Sequence, residues 1–188
     1  MSALAPASLS SAPRSPASPL AAGAALAVEG IGLGKRFGSF TALDGVSIRV
    51  EPGSVHALLG ENGAGKSTLV KCIMGYHPAD AGQVLVDGRE AAIANPQDAH
   101  RLGLGMVYQH FTLVPSMTVA ENLVMARLHV PAVIDWKRER RALEAFLDRM
   151  PFRVPLGARA GELAAGERQK TEILKQLWLD RRFVVLDE

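Results

Sequence analysis

The sequence predicts an α/β fold with an antiparallel side sheet and a helical insertion, and three observations carry that prediction. The segment Gly60-Glu61-Asn62-Gly63-Ala64-Gly65-Lys66-Ser67-Thr68 fits G-x-x-x-x-G-K-[ST] and lies between an apolar run and an amphipathic one. The chain closes on Phe183-Val184-Val185-Leu186-Asp187-Glu188, an apolar run ending in two carboxylates. Between them, residues 118–179 repeat their apolar side chains with a helical rather than a strand period.

The elements follow in order. Residues 1–27 are almost entirely Ala, Ser, Pro, Leu and Gly, with Arg14 the only charge, and read as a disordered tail. The tail has no basic start leading into an apolar stretch, which argues against a secretory signal; an overlong start site is the alternative to a disordered tail, and an organelle transit peptide, which usually carries several arginines, is the weaker rival. From Val28 the pattern is globular. Phe40 to Val50 reads as a strand, Glu51-Pro52-Gly53 as a turn, and Val55-His56-Ala57-Leu58-Leu59 as a buried strand leading into the glycine loop. Ser67 to Met74 is the helix after the loop, stopped by Gly75. Gln83-Val84-Leu85-Val86 runs into Asp87-Gly88, a hairpin signal. Leu104 to Gln109 is a further short buried strand.

The second half is helical. Thr118-Val119-Ala120-Glu121 is a capping box. Asp135 caps a second helix, with Trp136, Leu143, Phe146, Leu147 and Met150 on one face and the solvated run Lys137-Arg138-Glu139-Arg140-Arg141 on the other. A third helix follows Gly166, with Ile173, Leu174, Leu177 and Trp178 directed inward. This gives a tail (1–27) and one globular domain (28–188) with a helical subdomain at about 117–170.

Bulk properties narrow the function. The chain has 188 residues, enough for one ordinary core. Its 21 basic and 19 acidic residues leave a net charge of +2, which argues against a nucleic-acid or polyacid partner. The lone Cys72 rules out an internal disulfide and suits a reducing compartment. No stretch approaches the roughly 18 apolar residues of a membrane span, so any membrane-spanning part belongs to another subunit. His56, His77, His100, His110 and His129 are too scattered for a metal site.

The glycine loop carries the chemistry. Glycines let successive backbone N–H groups turn inward, and the helix behind them aims its positive end at an anion. Lys66 can reach the terminal phosphates of a bound nucleotide, and the Ser67 hydroxyl can ligate Mg2+. An Asp at the end of a buried strand, here Asp187, is placed to hold the same ion, and a neighbouring Glu, here Glu188, to polarise an attacking water.

Taken together, the glycine loop, the glutamine in Val107-Tyr108-Gln109-His110-Phe111, the loop Leu163-Ala164-Ala165-Gly166-Glu167 and the apolar-Asp-Glu strand resemble the nucleotide-binding subunit of ATP-binding-cassette transporters. The resemblance covers roughly residues 28–188 and implies a P-loop NTPase core with the side sheet and helical insertion already described. By that resemblance, Gly60, Glu61, Asn62, Gly63, Ala64, Gly65, Lys66, Ser67 and Thr68 hold ATP. Phe37 stacks on adenine, with Phe40 a nearby competitor. Ser67, Gln109 and Asp187 hold Mg2+, and Gln109 reports to the membrane subunit. Lys66, Gln109 and Glu188 are the catalytic set. Leu163, Ala164, Ala165, Gly166 and Glu167 stand where the family's signature loop reaches, in trans, the nucleotide of a second cassette.

The signature loop departs from the family's Leu-Ser-Gly-Gly-Gln. Ala164 has no hydroxyl, and Glu167 adds negative charge unless Arg168 or Lys170 offsets it, so weaker ATP-driven dimerisation is expected. Residues 166–175 and 106–115 resemble importers of simple sugars and nucleosides, which commonly carry two cassettes in one polypeptide. The implied partners are membrane permease subunits, a second cassette and, indirectly, a substrate-binding protein, on the cytoplasmic face of the membrane. Later family features would lie past residue 188, so the chain alone is expected to be marginally stable and a poor ATPase. A non-transport cassette of DNA repair or translation usually adds coiled coils, zinc modules or basic linkers, which are not visible here. A truncated cassette that binds nucleotide without turnover is favoured by Ala164 and opposed by Lys66, Asp187 and Glu188. A GTPase would carry an Asn/Thr-Lys-x-Asp base-reading motif, and none is present.

Overall fold

Backbone pairing begins with a hairpin. In the computed structural model, which describes residues 23–127 and 129–187, β1 (Val28–Phe37) turns at Gly38 into β2 (Phe40–Val50). The two run antiparallel from Val28↔Val50 to Phe37↔Phe40, with register shifts between Gly30 and Leu33, Leu33 and Lys35, and Lys35 and Arg36. On its other edge β1 pairs antiparallel with β3 (Ala81–Val86), which folds back into the short β4 (Arg89–Glu90). The sheet order is β2-β1-β3-β4. The β3–β4 turn is Asp87-Gly88, with φ of 49° and 72°, the left-handed pair that a two-residue hairpin demands. Leu26 is buried in the core, and Ala27 and Asp87 exchange hydrogen bonds, so residues 26 and 27 belong to this sheet and not to the tail. Residues 1–22, the rest of that tail, lie outside the described residues.

Helix α1 (Lys66–Ile73) buries Leu69, Cys72 and Ile73. It ends as the sequence predicts. Tyr76 donates to the Lys71 carbonyl and Gly75 to that of Cys72, the paired bonds of a glycine-terminated helix. Gly75 sits at φ 76°, and a Cβ there would come within 2.7 Å of the Asn95 backbone. The next helix, α2 (Pro96–Arg101), is capped by the Asn95 side chain with proline in its first turn.

A parallel pair of strands forms the second layer. β5 (Leu104–Val107) lies beside β6 (Phe183–Leu186) in the register Leu104↔Phe183 to Val107↔Leu186. Between them in sequence come α3 (Val119–Met125), α4 (Trp136–Leu147) and α5 (Ala165–Trp178). The Thr118–Glu121 capping box opens α3, and the Asp135 side chain caps α4, both as the sequence predicts.

Two apolar clusters result. One joins the sheet, α1, α2 and β5, with Phe183 and Val185 of β6 against it. The other joins Val119, Leu123, Leu143, Phe146, Leu163 and Leu174 of the helical segment.

Three expectations need correction. Residues 55–59 form no strand; all are exposed, Leu59 to 88%. A strand enters an apolar core only when its backbone groups find ladder partners, and among the described residues none pairs with this segment, so it stays in water. The strand expected to run to Gln109 ends at Val107. On α5, Leu177 is exposed, and the buried set is Thr171, Glu172, Leu174 and Gln176. The helix has turned its polar residues toward partners described below.

Candidate functional site

Gly65 takes the cap position of α1 at φ 85°, where a Cβ would lie 2.7 Å from the Ala42 carbonyl of β2. Only glycine lets the loop pass that close to the sheet. The first turn of α1 has no side-chain cap and no acidic residue. Its leading amides have no acceptor within the helix, and the helix dipole adds positive potential there. Lys66 Nζ donates to the carbonyls of Gly60 (2.7 Å) and Glu61 (2.8 Å), folding the ammonium across the loop it belongs to. Ala64 N–H donates to Glu61 O at 3.2 Å, and Ser67, next to Lys66, is exposed. The arrangement is a cationic cradle for a polyanion.

Phe37 stands at the end of β1 with 44% of its surface exposed. The His77 ring meets it edge-on at 5.3 Å, and Lys35 Nζ lies 5.7 Å from its centroid. Lys35 also donates to the Pro78 carbonyl and to Asp80 Oδ1, and the Arg36 N–H donates to Asp80 Oδ2. The Lys35 hydrogen bond, then that of the Arg36 amide, holds the Asp80 carboxyl below the usual carboxylate range. This clamp ties the Phe37 end of β1 to the chain leaving α1. His77, unassigned from sequence, is thus the ring that orients Phe37. Phe40, across the turn, is more exposed at 63% and has no such support.

The parallel pair brings two other site residues together. Because Val107 lies opposite Leu186 and Asp187 N–H donates to Val107 O (2.9 Å), Gln109 and Asp187 both emerge just past the carboxyl ends of adjacent parallel strands. In open α/β sheets that edge is where ligands bind. Gln109 is exposed and Asp187 half-buried. Glu188 lies outside the described residues. The buried face of α1 packs in the same cluster as Leu104 and Met106 of β5. Tyr76, just past α1, shares a hydroxyl hydrogen bond with Tyr108, their rings 5.9 Å apart and near perpendicular. Burial, then Tyr76, pushes the Tyr108 phenol well above its ordinary value. No hydrogen bond or ion pair among the described residues joins Gln109 or Asp187 to Lys66 or Ser67. The connection is through packing and not through a polar bridge.

The signature-like loop is anchored by Leu163, buried in the helical cluster, while Ala164, Ala165 and Gly166 are exposed. Ala164 caps α5 with no side-chain bond, and Glu167 Oε2 accepts the Ala164 N–H at 3.3 Å. Both cations that could offset Glu167 make other contacts. Arg168 donates to the Leu163 and Gly161 carbonyls and lies 5.7 Å from the Phe111 ring, and Lys170 lies 6.0 Å from that of Phe152. Glu167 is compensated by the start of its own helix, as a first-turn acid should be.

The donors suited to a metal here are a hydroxyl, an amide and a carboxylate, hard oxygen ligands of the kind Mg2+ takes together with substrate phosphates. Among the described residues no cluster of His, Cys, Asp and Glu could hold an ion alone, and no helix is long and apolar enough to cross a membrane.

Comparison with known proteins gives the family. Residues 43–188 match the family model described as ABC transporter. The chain is 45% identical over 158 residues to the "Ribose import ATP-binding protein RbsA 1" of Rubrobacter xylanophilus, covering 84% of this chain and 32% of that protein. It is 44% identical over 158 residues to the "Ribose import ATP-binding protein RbsA 2" of Streptomyces coelicolor, covering 84% and 31%. The chain therefore spans about a third of the length of these curated relatives. Among solved structures, a nucleotide-free ATP-binding cassette from an ABC transporter superposes with a TM-score of 0.71 at 29% identity, over 88% of this chain and 69% of that one.

Proposed function

The chain belongs to the ABC transporter family, and on that premise we propose that it is the ATP-binding part of an importer that couples ATP binding and hydrolysis to uptake of a simple sugar. The observation that carries the reading is the cradle at the start of α1, where an uncapped helix end, a glycine admitted by β2 and a lysine folded over the loop leave a binding edge suited only to a polyanion. Two relatives named for ribose import supply the substrate class, and a nucleoside is the rival cargo.

In this reading the first-turn amides of α1 and Lys66 bind the phosphates of ATP, and Phe37, oriented by His77, stacks on the base. Ser67, Gln109 and Asp187 would hold Mg2+, whose charge neutralises that building on the transferred phosphoryl group. Gln109 donates its amide N–H to the attacking water while its carbonyl oxygen stays available as a ligand. Glu188 would accept that water's proton. Ala164, Ala165 and Gly166 face a second cassette across a nucleotide sandwich, and membrane permease subunits engage from the cytoplasmic side.

The test is direct. In the full-length protein reconstituted with its permease in liposomes, ATP should drive ribose accumulation, and Lys66→Ala should abolish it. ATP-independent uptake, or nucleotide affinity untouched by Lys66→Ala, would sink the proposal.

A further inference from the structure

A buried polar cluster outside the site just described holds the chain downstream of Gln109. Glu172 lies on the inward face of α5 and is only 1% exposed. Its Oε1 accepts the Thr112 backbone N–H at 2.5 Å and the Thr112 hydroxyl at 2.9 Å. Lys175, one turn further along α5, donates to Thr112 Oγ1 at 2.5 Å and pairs with Glu172 Oε2 at 2.5 Å. The same helix touches the preceding residue, since Arg168 stacks its guanidinium on Phe111 while bonding the Leu163 carbonyl. From α3, Asn122 accepts the Val114 N–H (2.7 Å) and donates to the Val114 carbonyl (3.1 Å). Residues 111, 112 and 114 are therefore tied to the helical layer by these contacts although, like Gln109 and His110, they lie at the surface.

Packing alone does not call for an acid at position 172. A buried carboxylate carries a desolvation cost that an apolar side chain of similar size avoids, so it is retained where it specifies a geometry. Here the geometry is a chain pinned at one end by β5 and at the other by α5. Any displacement of α5 relative to β5 must be taken up in residues 108–110, the short span that contains Gln109. Resting on the reading that Gln109 faces the nucleotide, we infer that Glu172, supported by Lys175, is a positioning residue that ties Gln109 to the helix opening at the signature loop. Glu172 itself touches no reacting atom. It acts through Thr112.

Amide exchange and ATP turnover in the full-length protein test this together. Without nucleotide, Glu172→Ala should speed exchange in residues 108–113 about tenfold while leaving the β1–β2 hairpin unchanged, and Glu172→Gln, which keeps an acceptor oxygen, should restore most of the protection. Glu172→Ala should lower kcat about tenfold with KM for MgATP within about twofold, because misplacing a positioning group taxes the chemical step and not ground-state binding. In a Gln109→Ala background the same change should cost nothing further. Equal losses with and without Gln109, or faster exchange spread equally over the hairpin, overturn the inference. If Glu172→Ala fails to fold, Glu172→Gln and Thr112→Val probe the same contact. Failure of the ATP reading shows up separately, as nucleotide affinity indifferent to Lys66→Ala, and the nucleotide-free exchange result still decides whether Glu172 holds the loop.

Discussion

The starts of α1 and α5 are the same kind of object put to different use. Each presents first-turn amides with no acceptor in the helix. At α1 the cap is a glycine in the left-handed region, no acid stands in the first turn, and the ammonium of Lys66 folds onto the Gly60 carbonyl. At α5 the cap is Ala164 in an extended conformation, and Glu167 turns back onto its amide. One end is left for an outside anion. The other has partly satisfied itself, so an incoming phosphate must compete with a resident carboxylate. On the proposed reading, identical backbone physics gives a strong phosphate site and a weak one, and the difference lies in a few side chains.

The largest effect expected from breaking this contrast is at α1. Lys66→Ala in the full-length protein should weaken ATP binding by about one to two orders of magnitude, since charge-assisted hydrogen bonds are worth about 1.5–3 kcal/mol, as read by equilibrium titration with a fluorescent ATP analogue. Gly65→Ala should come next. A left-handed φ combined with a Cβ pressed on the Ala42 carbonyl should cost about 1–3 kcal/mol in urea unfolding and displace the loop, with nucleotide affinity falling in parallel. A normal affinity in Gly65→Ala would show that the close approach to β2 does not shape the cradle.

Changes at α5 should be smaller and of opposite sign. Ala164→Ser supplies the missing cap, worth about 1 kcal/mol, and a hydroxyl for the partner's nucleotide, so ATP-dependent dimer affinity measured by sedimentation should rise about fivefold. An unchanged dimer would mean that the loop does not meet phosphate. The smallest effect is a pH dependence away from both helix starts. Burial, then Arg181, holds the His100 imidazole below its ordinary value. The unfolded chain therefore binds that proton more readily, and this contribution to stability is complete above about pH 6.5 and lost as pH falls below it. His100→Gln should flatten that slope in thermal melts across pH 5 to 8.

Much of the local structure around the candidate site was legible in the sequence because it depends on neighbours along the chain. The phosphate loop, the Thr118 and Asp135 caps, the Gly75 stop and the Asp87-Gly88 hairpin are local patterns, each with a local physical cause, and the structure contains the last four as read. What failed depended on distant partners. Residues 55–59 had the apolar character of a strand, but a ladder requires another strand, and composition cannot say whether one is there. The inward face of α5 was misjudged because Glu172 finds Thr112 and Lys175 only after the chain has come back on itself. His77 gave no signal either, its meaning arising from Phe37 across the sheet.

By itself, then, the sequence determined helices α1, α3, α4 and α5, though not the short α2, together with the main turns and the family the chain resembles. Propensities, caps and glycine dihedrals act over a few residues and need no fold to express them. Only the tertiary structure decided that Gln109 and Asp187 leave neighbouring strands side by side, and that a buried acid grips the chain beyond Gln109. Those outcomes rest on strand register and on desolvation, which exist only once remote segments have met.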